Sequence, residues 1–181
     1  MGLCGSGIID AVAGLYTTGL LRQDGAFYPD RGVKRLRRGG SGVMEFVLVW
    51  KDETLTGRDI VLTQRDVRQI QLAKAALCAG CRVLMGHLGI ASITRMVIAG
   101  AFGMHINKES ALAIGLFPPC DPSRIFVVGN AAGHGAYLAL LDRKKRAEAD
   151  TIAPGVIHIE LAREKGFQKE FMNGLSLPKR E

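Results

Sequence analysis

The chain has 181 residues, 48% hydrophobic and 23% charged, which fits one domain with a core and excludes both a disordered chain and a two-domain enzyme. No run approaches the ~18 apolar residues of a membrane span and no basic-flanked signal opens the chain, so a soluble cytoplasmic protein without membrane attachment is expected; the four cysteines lack a framework spacing and read as reduced thiols. The net charge of +7 is gathered in three runs, Arg31 to Arg38, Arg143 to Arg146 and Lys179-Arg180, which read as solvated loops and helix ends and not as a nucleic-acid surface, with docking of an acidic partner as their other use.

Gly5-Ser6-Gly7 runs into Ile8, Ile9, Val12, Tyr16 and Leu20, whose spacing predicts a helix ending near Gly19. The Arg31 to Arg38 run closes on Gly39-Gly40-Ser41-Gly42 as a hairpin loop would. Val43 to Trp50 and Asp59 to Leu62 then read as an antiparallel strand pair. Thr63 and Asp66 imitate a capping box ahead of a long buried helix with the stripe Ile70, Ala73, Leu77, Cys81, Leu84 and Leu88. Arg95 to Ala99 is a strand ending in Gly100-Ala101-Phe102-Gly103, and Lys108 to Ile114 is a short helix stopped by Pro118-Pro119. Arg124 to Val128 is another strand, after which Asn130 caps a helix. A last strand around Val156 to Leu161, an amphipathic helix through Phe167 and Phe171, and a mobile tail over 175–181 complete the chain.

Strand, glycine turn and helix thus occur twice, the alternation of an α/β sheet with crossover helices, whose ligands sit beyond the carboxyl ends of the strands. Cys4-Gly5-Ser6-Gly7 before a helix suits an anion, because free N–H groups and the positive end of the dipole converge there. Neither common nucleotide motif is present: no Walker sequence occurs, and Asp10 stands where a dinucleotide fingerprint needs its third glycine. Cys78-Ala79-Gly80-Cys81 lies inside the long helix without a second pair, so it reads as core packing and not as a metal site.

Six segments in order carry a resemblance: G-L-C-G-S-G-I-I-D-A-V (2–12), L-T-Q-R-D-V-R-Q-I-Q-L-A-K-A-A (62–76), A-G-A-F-G (99–103), A-I-G-L-F-P (113–118), G-N-A-A-G-H-G-A (129–136) and I-E-L-A (159–162). Together they resemble the C-terminal part of the reductive activators of corrinoid proteins, in the actin-like ATPase superfamily. The resemblance implies an actin-like (ribonuclease H-like) lobe over 1–174, a mixed sheet with crossover helices. It implies ATP or ADP with Mg²⁺ as cofactor, and an activity that returns Co(II) corrinoid to Co(I) with an electron from a [2Fe–2S] cluster. The implied partner is a corrinoid protein or corrinoid-dependent methyltransferase. By that similarity Gly5, Ser6 and Gly7 match a phosphate motif, Gly100, Ala101, Phe102 and Gly103 the adenosine motif, and Gly129 and Asn130 the segment connecting the lobes. Gln71 and Lys74 would face the adenosine from the long helix.

The cluster's cysteine spacing and the first lobe with its metal-binding acid are absent from the sequence. The chain therefore reads as half of a two-lobed clamp, from a truncated reading frame, a split subunit or an excised fragment, and inactive alone. Two other readings of the residues are a noncatalytic actin-like module that docks an acidic partner, and a lobe of an actin-like small-molecule kinase.

Overall fold

The computed structural model describes residues 2–29 and 31–180. Helix α1 (Gly5–Thr17) buries Ile9, Val12, Ala13, Leu15 and Tyr16, one face set by the three- and four-residue spacing. It stops where Gly19 adopts the left-handed conformation at φ 80°, the usual role of glycine just past a helix end. A tight turn follows, pinned by the Leu21–Phe27 bridge.

Strands β1 (Leu36–Arg38), β2 (Met44–Val49) and β3 (Ile60–Thr63) form an antiparallel sheet in that order. Its inner face sets Leu36, Met44, Phe46, Leu48 and Leu62 into the main core, and on its other face Val47 is fully buried, as side-chain alternation along a strand requires. The basic run is therefore not simply a solvated loop. Its end is strand β1, where Arg37 bonds Glu45 at 2.9 Å and Asp59 at 2.6 Å, while the Arg35 and Arg37 guanidiniums lie 5.6 and 5.7 Å from the Trp50 ring centre. Asp59, and then Glu45, raise the Arg37 pKa further.

Helix α2 (Gln64–His87) begins with the expected capping box: Thr63 Oγ1 accepts from Asp66 N, and Asp66 accepts from Thr63 N. Its buried face differs from the expected one. Val67, Gln71, Lys74, Ala75, Cys78 and Ala79 are buried, whereas Leu77, Leu84 and Leu88 of the apolar stripe are 46%, 43% and 73% exposed. The periodicity marks a face that needs apolar cover, and the described residues do not supply it.

Strands β4 (Met96–Ala99) and β5 (Ile125–Gly129) pair in parallel, joined through helix α3 (Lys108–Ala113). Helices α4 (Ala131–Leu141), α5 (Arg143–Ile152) and α6 (Phe167–Gly174) follow. The strand expected at Val156 to Leu161 does not form; 156–160 is irregular and leads to a 3-10 turn at Leu161–Arg163. Its alternating apolar residues have no adjacent strand with which to share hydrogen bonds.

Of the segment expected to be a mobile tail, residues 175–180 form a strap, and residue 181 lies outside the described residues. Leu177 is 1% exposed within the main core, and its N–H donates to Gln23 O at 2.8 Å. Tyr16 donates its hydroxyl to Pro178 O, and Arg180 donates to Leu21 O while lying 4.4 Å over the Tyr16 ring. One buried leucine and its hydrogen-bonded backbone hold the segment where composition suggested mobility.

Candidate functional site

The glycine turns meet at one end of the β4–β5 pair. At the carboxyl end of β4, Gly100 takes φ 112°, a conformation that excludes other residues without strain, and its N–H donates to Gly129 O at 2.6 Å. The turns after the two strands are thereby fastened side by side. Nothing lies within 4 Å of where a Gly100 side chain would project, so that position opens on free space. Gly129, at φ 66°, would carry a Cβ only 3.1 Å from Met104 Sδ. Asn130 Oδ1 accepts from Gly133 N at 3.0 Å and starts α4.

The third glycine segment comes in through Phe102. A Cβ on Gly5 would stand 2.5 Å from Phe102 Cε2, so the ring rests on the start of α1 because residue 5 has no side chain. There Cys4 caps the helix: its Sγ accepts from Gly7 N at 3.4 Å and lies 3.3 Å from Ser6 Oγ. The Ser6 hydroxyl first, and the Gly7 N–H second, hold the Cys4 thiol below its ordinary pKa. Gly5, Ser6, Gly7, Gly100, Ala101, Phe102, Gly103, Gly129 and Asn130 thus belong to neighbouring turns.

Gln71 and Lys74 do not join them. They lie on the face of α2 next to the one that carries Ile70, Ala73 and Leu77, centred roughly 100° round the helix axis from it, and their side chains are bonded elsewhere. The Lys74 ammonium donates to Gly174 O at 2.5 Å and Ser176 O at 2.7 Å, and Gln71 Nε2 donates to Leu175 O at 2.8 Å and Asp24 O at 3.0 Å. Three successive carbonyls at the end of α6 are therefore capped by two side chains of α2. The negative end of α6 favours a cation at that place, which explains a lysine only 1% exposed with no carboxylate bridge among the described residues. Burial lowers its pKa to about 8. A helical one-letter string carries no sign of which face a distant chain end will cover, so sequence reasoning could not find this role.

Between α2 and β4 runs an apolar trough of about 1290 Å³, lined by Ile70, Leu77, Leu84, Val97 and Phe102 among others. A parallel pair of strands is ordinarily covered on both faces, yet Val97, Phe126 and Val128 are 50%, 45% and 51% exposed. Among the described residues no three His, Cys, Asp or Glu side chains gather as metal ligands, and no helix is long and apolar enough to cross a membrane.

Parallel strands ending in fastened glycine turns, a crossover helix and a separate antiparallel sheet define an actin-like domain. All of residues 1–181 match the family model described as the C-terminal domain of RACo, the ASKHA domain, and the chain belongs to that family. It is 38% identical over 179 residues to "Corrinoid activation enzyme RamQ" of Eubacterium limosum, covering 94% of this chain and 30% of that protein. The solved structure "Reductive activator for corrinoid,iron-sulfur protein" superposes with a TM-score of 0.88 at 37% identity, over 98% of this chain and 28% of the other. The chain thus spans less than a third of the length of either relative.

Proposed function

We propose that residues 1–174 form the second lobe of the nucleotide clamp in an ATP-dependent activator that returns Co(II) corrinoid protein to Co(I). The observation that carries this reading is the Gly100–Gly129 hydrogen bond, which fastens two glycine turns beside open space, with Phe102 joining them to the start of α1. The open side of Gly100 fits a flat base or ribose, and the first turn of α1 offers N–H groups and a positive dipole end to phosphate.

In this reading Gly100, Ala101, Phe102 and Gly103 hold the adenosine side, while Gly5, Ser6 and Gly7 receive phosphate. Gly129 and Asn130 set the start of the helix that faces the other lobe. Bound ATP supplies the phosphoanhydride whose cleavage is coupled to electron transfer. The described residues do not gather a ligand set for Mg²⁺ or for a [2Fe–2S] cluster, so both belong with groups outside this chain. The trough supports the same division, since an apolar face of that size needs cover from the remaining two thirds of a protein as long as the relatives. The partner is a corrinoid protein, or a methyltransferase that depends on one, and the setting is the cytoplasm.

Phosphoryl transfer depends chiefly on positioning and charge stabilisation from both sides. One lobe should therefore bind nucleotide weakly and turn over none. Calorimetric titration of residues 1–181 with ATP tests the first half: saturable binding abolished by Gly100→Val, in a variant whose circular dichroism is unchanged, is the expected result. No heat at millimolar ATP, or equal affinity in the variant, refutes the assignment. For the second half, hydrolysis and corrinoid reduction should emerge only on adding the cluster-bearing remainder of the protein, and hydrolysis by residues 1–181 alone that is lost on mutating Gly5 contradicts it.

A further inference from the structure

On the side of α2 away from the glycine turns, a second cavity of about 550 Å³ opens between that helix, the 115–120 loop and the C-terminal strap. Its α2 wall is the stripe Lys74, Cys78 and Arg82, four residues apart and so on one helix face. Phe117 and Leu177 supply apolar wall, and Gly115 keeps the opposite side thin: a Cβ there would lie 3.7 Å from Lys74 Nζ and 3.0 Å from Pro178. A mostly apolar lining with a few convergent polar groups, at this volume, is the composition of a small-molecule site.

The charges of the lining narrow the occupant. Lys74 gives two of its three N–H groups to the Gly174 and Ser176 carbonyls. Arg82 is half exposed and reaches Glu170 only at 3.7 Å, too long for a good hydrogen bond, so its planar fork is free to turn to a better acceptor. Among the described lining residues, two cations against the one carboxylate of Glu170 leave a single positive charge facing apolar walls. We propose that this cavity binds a small organic monoanion, a carboxylate held at its head by Arg82, with an aliphatic body against Phe117 and Leu177. Glu170 and the strap carbonyls oppose a second negative charge, which separates this ligand class from nucleotides and phosphates. None of the glycine-turn residues lines this cavity, and Phe117 is the one residue it has in common with the trough, so the proposal stands whether or not those turns take ATP.

Cys78 and Cys120 also line the cavity and serve as reporters. Iodoacetate is itself a small carboxylate monoanion and iodoacetamide is its neutral analogue; with either, a thiolate sulfur displaces iodide to form a C–S bond, and the thiol proton goes to solvent. Rates at Cys120 and Cys78 are read by mass spectrometry of peptides from residues 1–181. The ratio of iodoacetate to iodoacetamide rates should fall at least about fivefold in Arg82→Gln, since charge complementarity governs encounter with the anion. Butyrate should protect the wild-type thiols saturably and should not protect those of Arg82→Gln. Arg82 is half exposed, so the variant should fold, which circular dichroism checks. An unchanged ratio together with no protection by butyrate overturns the proposal, as does a failure of both thiols to react with either reagent in the folded chain.

Discussion

Replacing Leu177 by alanine separates a strapped C-terminus from a mobile one. The side chain is 1% exposed and sits in the cluster that includes Tyr16 and Leu21. Truncating a buried leucine costs about 2–5 kcal/mol, depending on how far the site collapses. Leu177 also borders the 550 Å³ cavity, so on one side its neighbours already lack full packing and fewer contacts are lost. The lower part of the range applies, about 2–3 kcal/mol. For a domain of this size each kcal/mol moves the melting point by about 2–4 °C, so a drop of roughly 5–10 °C is expected. Trp50 is the only tryptophan and lies next to β2, far from residue 177 in sequence, so its fluorescence during urea unfolding reports the whole domain. Lys179→Ala, at an exposed neighbouring position, is the control and should stay within about 0.5 kcal/mol. If Leu177→Ala also stays within that margin, the strap contributes nothing and the reasoning fails.

Lys74 makes stability depend on pH. Its folded pKa is lowered from 10.5 to about 8, so between those values the unfolded chain holds the extra proton and stability should rise with pH, by at most about 1.4 kcal/mol per unit; Lys74→Met should remove that rise from urea midpoints taken between pH 8 and 10, and an identical slope in both proteins contradicts it. Gly5→Ala pushes a Cβ against Phe102 and should destabilise by about 1–2 kcal/mol, with Phe102→Ala relieving much of it; a double-mutant cycle additive within about 0.3 kcal/mol would deny the contact. Leu88→Gln, at a 73% exposed position of the trough stripe, should leave residues 1–181 within about 0.5 kcal/mol of wild type while weakening co-purification with the remainder of the protein, and a large loss of stability in the isolated chain would show that the stripe is already covered.

Local chemistry was legible along the chain. The Thr63–Asp66 box, the Asn130 cap, the halt of α1 before Gly19 and the glycine turns after β4 and β5 each depend on residues within a few positions of one another, and so did the family pattern, which is a string of such segments. Periodicity also gave the apolar stripe of α2, but a stripe states only that a face wants cover. Tertiary structure decided that α2 buries the face next to that stripe, because the strap and α6 arrive there from a hundred residues away. For the same reason Lys74 and Gln71 cap α6 and do not face the glycine turns, Leu36 to Arg38 became a strand once β2 offered an edge, and Val156 to Leu161 stayed irregular for want of one. Capping and turns are satisfied by neighbours in sequence; strand pairing and the choice of buried face wait on partners that only the folded chain brings into reach.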